Sequence, residues 1–265
     1  MFGVRGDGSE DYRAGDFERM IIFLTSSPTG PLDNSRPVNG VDEMNDFLVH
    51  LKKYWKNNAR CLIISAFPAD DAANDDMQGG MACAMQRSGL TLSVFDVWDN
   101  RTQDYSEETL CSYDVVFLGG GHVPTQNEFF KRIHLKEKIQ KFDGVVIGIS
   151  AGTMNSAEVV YAQPELAGEA LDSGYRRFIT GLGLTKTNIL PHYQMVKDWY
   201  LDGMKLYEEI IYGDSYGAEF LVLTDGSYLL IKDGKEYVFG EAYRIAEGRI
   251  QQICSDDQKI VWKEV

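Results

Sequence analysis

Five short apolar runs, each stopped by turn chemistry, constrain this chain more than any other feature. They are MIIFLTSSP (20–28), RCLIISAFP (60–68), LTLSVFDVW (90–98), YDVVFLGGG (113–121) and DGVVIGI (143–149). Helix-compatible segments separate them. In the first, Val41, Met44, Phe47, Leu48, Leu51, Tyr54 and Trp55 share one 3.6-period face. Others are DAANDDMQGGMACAMQRSG (71–89) and NEFFKRIHLKEKIQKF (127–142). Strands without polar alternation are buried on both faces, which is the property of a parallel sheet covered by helices. The pattern predicts an α/β fold with a doubly wound, mostly parallel sheet in three layers. After residue 216 the pattern changes. FLVLTDGSYLLIKDGKEYVFG holds two Asp-Gly pairs between short strands, which predicts C-terminal antiparallel hairpins. Residues 1–19 show no hydrophobic period and read as a loose leader, and 20–265 read as one domain without internal repeats.

Charge and cysteine usage narrow the function classes. Forty acidic residues against 26 basic ones leave a formal charge of −14. Nucleic acid and anionic lipid both need a basic face, so neither is an expected partner. No apolar run approaches the roughly 18 residues of a membrane span, and the N-terminus has no signal-peptide core. Cys61, Cys83, Cys111 and Cys254 lie far apart, with no metal-ligand spacing. They read as small hydrophobes in a reducing compartment. The expectation is a cytoplasmic protein that needs no metal or cofactor.

The sharpest local motif is Gly148-Ile149-Ser150-Ala151-Gly152, placed where a strand ends and a small-residue helix begins. This is the context a G-x-S-x-G nucleophile elbow requires. The turn crowds its neighbours, hence the glycines, and the helix start aims N–H groups at a developing anion. A serine hydroxyl needs a base, and the chain has four histidines. His50 and His134 sit at polar helix positions. His122 follows the triple glycine and suits a substrate-facing role. His192, in ILPHYQ just past the extended TNIL segment, is the expected general base, because sites in open parallel sheets lie at strand C-terminal ends. Gly119-Gly120-Gly121 ends another strand and can present an oxyanion N–H, with the Ala151 N–H as its partner. There is no G-x-G-x-x-G and no Walker lysine to support a phosphate site.

A strand ending GGG, a strand leading into G-x-S-A-G and a late Pro-His-Tyr together resemble peptidase family S51, the group of dipeptidase E and cyanophycinase. The resemblance runs from about residue 20 to 250 and includes LTSSP, GLGL at 181–184 and the closing Asp-Gly segments. It implies a class I glutamine amidotransferase-like sheet with serine in the cysteine's place. It also implies a serine peptidase with Ser150 as nucleophile, His192 as base, and backbone N–H groups of Gly120 or Gly121 with Ala151 as the oxyanion hole. The family places an acid between nucleophile and histidine. Counting back from GLGL selects Glu169, with Glu165 and Asp172 as alternatives.

The expected substrate is a small peptide or amino-acid conjugate, with His122, Gln126 and Arg176 lining its pocket. Recognition of an N-terminal aspartate, as in dipeptidase E, is helped by a basic residue beyond the histidine. Here the segment after His192, YQMVKDWYLDGMKLYEE, holds Lys197 and Lys205 but no arginine. Two other readings stay open: a non-catalytic ligand-binding module on a glutaminase-like fold, and an esterase of α/β-hydrolase type. The latter class expects its histidine nearer the end of the chain. The oligomeric state is not legible.

Overall fold

The computed structural model describes residues 20–31 and 35–264, and the expected leader, residues 1–19, lies outside the described residues. The five apolar runs become β1 (Ile21–Thr25), β2 (Ala59–Ile64), β3 (Leu92–Trp98), β4 (Val115–Leu118) and β5 (Val145–Ile149). They lie side by side in the order β1-β5-β4-β2-β3, and every neighbouring pair is parallel.

Alternate residues of these strands point to opposite layers, which is why the runs carry no polar side. Phe23, Ile63, Phe117 and Ile147 pack with Phe47 and Leu51 of α1 (Phe47–Tyr54) and with Met81 and Met85 of α2 (Asp71–Arg87). Leu24, Leu62, Leu118 and Val146 pack on the other face with Leu110 of α3 (Glu107–Cys111), Phe129 and Phe130 of α4 (Val123–Arg132) and Ile139 of α5 (Leu135–Ile139). The helix boundaries differ from the sequence pattern for local reasons. The 41–55 segment is α-helical only from Phe47, after a short 3-10 turn at Met44–Asp46, because Asn45 and Asp46 adopt positive φ (52° and 59°). The 127–142 segment splits into α4 and α5 at His134, which also has positive φ (51°). Helix α4 starts earlier than expected, with a proline in its first turn, where the missing N–H costs nothing.

Beyond β5 the chain forms α6 (Ala151–Asn155), a ribbon of β6 (Val159–Tyr161) and β7 (Phe178–Thr180), then β8 (Asn188–Leu190) and α7 (Tyr193–Val196). A small hairpin, β9 (Tyr200–Leu201) and β10 (Met204–Lys205), leads into a π-helical turn at Leu206–Ile211 and α8 (Tyr212–Asp214). Six strands close the chain: β11 (Glu219–Leu223), β12 (Tyr228–Lys232), β13 (Lys235–Phe239), β14 (Ala242–Ala246), β15 (Arg249–Cys254) and β16 (Lys259–Glu264). Strands β12, β13 and β16 extend the main sheet antiparallel from β1. Strands β15-β14-β11-β8 form a second, four-stranded sheet, in which β8 and β11 are parallel.

The expectation of hairpins at both Asp-Gly pairs holds for only one. Asp233-Gly234 joins β12 to β13, with Lys232 opposite Lys235. Asp225-Gly226 joins β11 to β12, which belong to different sheets. Phe220, Leu221, Val222 and Leu223 of β11 are fully buried, paired with β8 on one side and β14 on the other, so no edge is left for β12. Among the described residues, no helix is long and apolar enough to cross a membrane.

Candidate active site

Ser150 stands at the C-terminal edge of the parallel strands, one residue past the Thr25–Ile149 pair. Its backbone is in a strained conformation, φ 49° and ψ −109°. The surroundings hold it there. The Ser150 N–H donates to the Thr25 carbonyl (3.1 Å) and the Gly152 N–H to the Gly119 carbonyl (3.1 Å). The Thr153 hydroxyl donates to the Thr25 carbonyl (2.7 Å) and accepts the Thr25 N–H (3.0 Å). The flanking glycines are required by space. A Cβ on Gly152 would sit 2.2 Å from the Leu118 carbonyl oxygen, and one on Gly148 2.8 Å from Thr153 Oγ1. Ala151 opens α6, so its N–H belongs to the set that has no intrahelical acceptor.

His192 arrives from the second sheet. Leu190 of β8 pairs with Val222 of β11, and the parallel register carries the next residues of both strands to the same edge. Two residues on is His192, and three residues on is Asp225. His192 has φ 61°, and its N–H donates to Ser26 Oγ (3.0 Å) at the end of β1. The Ser26 hydroxyl in turn lies near the Leu223 and Thr224 carbonyls (3.5 and 3.4 Å). One serine thus ties the end of the main sheet to both strands that supply the pair. His192 Nδ1 lies 2.7 Å from Asp225 Oδ1, with the side chains only 9% and 1% exposed. The Asp225 N–H donates to Gln194 Oε1 (3.0 Å). A carboxylate only accepts, so Nδ1 is the donor of the pair, and in the neutral ring Nε2 is the lone-pair nitrogen. Nε2 is buried and, among the described residues, has no hydrogen-bond partner.

The expectation that Glu169 orients His192 is therefore corrected. Glu169 Oε1 is 2.9 Å from His122 Nε2, and Glu169 Oε2 accepts the N–H groups of Glu165 (2.8 Å) and Leu166 (2.9 Å). The other ring nitrogen of His122, Nδ1, faces the Thr125 hydroxyl (2.8 Å). The Asp172 carboxylate caps its own turn at the Gly174 N–H (2.8 Å). Asp225 was hidden in the sequence because Thr-Asp-Gly-Ser reads as turn chemistry. The available signal was a second buried strand ending in an acid.

Ser150, His192, Gly120 and Gly121 line one cavity of about 490 Å³, within the range that holds a small ligand. Gly121 has φ +155°, and a Cβ there would lie 2.5 Å from the Phe67 ring. None of the three expected substrate contacts lines this cavity. His122 is engaged with Glu169. Gln126 is fully buried, and its amide donates to the Gly119 carbonyl (2.7 Å), so it braces the glycine loop from behind. Arg176 is exposed in a separate surface concavity with Glu128, Lys131 and Phe178. The cavity lining does include Glu165, whose carboxyl is pushed up to about 7 by burial and by the neighbouring Glu169 charge.

Ser150 on its sharp strand-to-helix turn and His192, paired with Asp225, thus line one cavity at the edge of a mostly parallel sheet, and comparison with known proteins shows which family has this fold. A peptidase from an acI-B1 Actinobacterium shares the fold with a TM-score of 0.61 at 15% identity, over 93% of this chain and 98% of the other. A peptidase E-type protein of Listeria monocytogenes EGD-e matches with a TM-score of 0.55 at 14% identity, over 88% of this chain and 98% of the other. No curated protein matches. The model of peptidase family S51 matches residues 67–238, a span that holds Ser150, His192 and Asp225. The chain belongs to peptidase family S51 and is a serine-type peptidase.

Proposed function

We propose that this peptidase cleaves an amide bond in a short peptide or amino-acid conjugate, with Ser150, His192 and Asp225 acting as a triad. The observation that carries the reading is the unpartnered Nε2 of His192, with Nδ1 held by Asp225, beside a cavity that Ser150 also lines. Ser150 Oγ attacks the carbonyl carbon while Nε2 takes its proton. The carbonyl oxygen becomes an oxyanion beside the backbone N–H groups of Gly120 or Gly121 and Ala151. Nε2 then gives the proton to the leaving amine, and the C–N bond breaks. Water repeats the sequence on the acyl-enzyme, and the carboxylate product leaves. Asp225 keeps the proton on Nδ1 and stabilises the imidazolium. Burial of the pair strengthens that interaction relative to water. The modest cavity volume supports a small substrate. The four free cysteines support a cytoplasmic site of action.

The test is covalent labelling. A small fluorophosphonate should modify Ser150, as read by peptide mass spectrometry. Ser150→Ala should lose the adduct and cut turnover of a cleaved dipeptide by about 10⁴–10⁶. An adduct elsewhere, or near-normal turnover by the variant, removes the nucleophile assignment.

A further inference from the structure

The cavity has a charge asymmetry that the triad does not explain. Among the described residues that line it there is one carboxylic acid, Glu165, and no lysine or arginine. Lys197 and Lys205, which follow the histidine in sequence, are both exposed and outside the lining. The remaining walls are largely apolar, with Met77, Met81 and Ile149 among the lining residues, and Met195, Val196 and Trp199 contributed by the segment after His192. A substrate carboxylate in this space would meet no counter-charge and one like charge. A cationic nitrogen would meet the one acid among the described lining residues.

The acid is also held in place. Glu165 belongs to the long connection between β6 and β7, which has no regular structure to stiffen it. Glu169 Oε2 binds the N–H of Glu165 itself (2.8 Å) and of Leu166 (2.9 Å), while Glu169 Oε1 is anchored on His122 at the start of α4. Asp202 accepts the N–H groups of Gly168 (2.7 Å) and Ala170 (3.1 Å). The Tyr175 hydroxyl donates to the Gln163 carbonyl (3.2 Å). A loop fixed at these points presents its acid at low entropic cost.

We propose that Glu165 is the specificity-determining residue of this site, where it binds a cationic nitrogen of an otherwise apolar substrate. This rests on the serine-peptidase reading of the cavity. The nitrogen has two sources, the free α-ammonium of an N-terminal residue or a basic side chain, and the recognising chemistry is the same. A partly buried carboxylate among apolar side chains favours such a partner because the opposite charge offsets part of its desolvation.

The experiment measures kcat/KM for Leu-Leu, N-acetyl-Leu-Leu, N-acetyl-Arg-Leu and Asp-Leu on the wild-type protein and on Glu165→Gln. The wild type should prefer a cationic substrate over N-acetyl-Leu-Leu and over Asp-Leu. In Glu165→Gln that preference should shrink by on the order of 10–100-fold, mainly through KM. Preference for Leu-Leu identifies the α-ammonium, and preference for N-acetyl-Arg-Leu identifies the side chain. An unchanged preference in Glu165→Gln, or a wild type that favours Asp-Leu, overturns the proposal. Should the variant not fold, the wild type alone decides. Leucinamide or N-acetylargininamide should bind by calorimetry, N-acetylleucinamide should not, and equal binding of all three overturns the proposal. If no peptide is cleaved and Ser150 takes no fluorophosphonate, the peptidase reading fails instead, and the calorimetry still judges Glu165.

Discussion

Two histidine–carboxylate pairs lie among the described residues, and their heavy-atom distances barely differ: 2.7 Å for His192–Asp225 and 2.9 Å for His122–Glu169. The nitrogen that is used separates them. Asp225 takes Nδ1 of His192 and leaves Nε2 without a partner. Glu169 takes Nε2 of His122, and Thr125 occupies Nδ1. The first ring keeps one nitrogen free to exchange a proton, and the second has both nitrogens satisfied. The carboxylates differ in the same sense. One oxygen of Asp225 is buried without a partner, whereas both oxygens of Glu169 are used, the second by two backbone N–H groups. A short histidine–acid contact is therefore a poor marker of catalysis. The free atoms of the pair carry the information.

Removing each histidine breaks the comparison most sharply. His192→Gln should lower kcat/KM for a cleaved dipeptide by about 10⁴ or more, because base and acid are lost together. His122→Gln should stay within roughly 10-fold of wild type, since that ring only anchors a loop. Steady-state kinetics on one substrate settles the matter. Comparable losses in both variants would erase the distinction.

The acids come next. Asp225→Asn should cost about 10³–10⁴ in kcat with little change in KM, because the amide favours the wrong tautomer of His192. Glu169→Gln should act mainly on KM, by a few-fold, because it loosens the loop that carries Glu165 and leaves the proposed triad of Ser150, His192 and Asp225 untouched. It should also lower stability by about 1 kcal/mol, a shift of roughly 2–4 °C in Tm. A Glu169→Gln variant with the kcat loss of Asp225→Asn would return the triad acid to the position that sequence order suggested.

That sequence order misled for a physical reason. The parallel sheet was legible because buried strands leave no polar alternation, and the elbow was legible because crowding forces glycines at 148 and 152. His192 was legible because it ends a strand. Asp225 meets the same condition, one strand over, yet it sits in Thr-Asp-Gly-Ser, beside a second Asp-Gly pair that does form a hairpin. The Asp-Gly dipeptide is the same at 225–226 and 233–234, but its backbone is not: Asp233 and Gly234 both have positive φ (52° and 67°), as a two-residue hairpin turn requires, whereas in the first pair only Gly226 does (98°). The dipeptide does not reveal that β11 belongs to the second sheet, where it pairs in parallel with β8, a long-range contact with no local signature. The misplaced pocket contacts have a related cause. Gln126 and His122 follow the glycine loop in sequence, but the helix they enter turns their side chains behind the loop, toward the Gly119 carbonyl and Glu169.

The smallest effect reads the coupling between Glu169 and the cavity. Burial and the Glu169 charge raise the Glu165 carboxyl from 4.5 to about 7. The native state therefore holds a proton that the unfolded chain releases between those two values. Stability from this group is fully present below about pH 4.5 and is lost as pH rises through about 7. The amide introduced by Glu165→Gln does not titrate. The Tm of Glu165→Gln relative to wild type should thus climb between pH 4.5 and 7 and level off above, a change on the order of a few degrees in a chain of this size once solvent screening of the partly exposed acid is allowed for. In a Glu169→Gln background the climb should shrink, because the neighbouring charge is gone while burial remains. Parallel Tm–pH curves for wild type and Glu165→Gln would show that the acid is solvated in the free enzyme. The cavity would then greet a cation with a hydrated carboxylate and weaker discrimination.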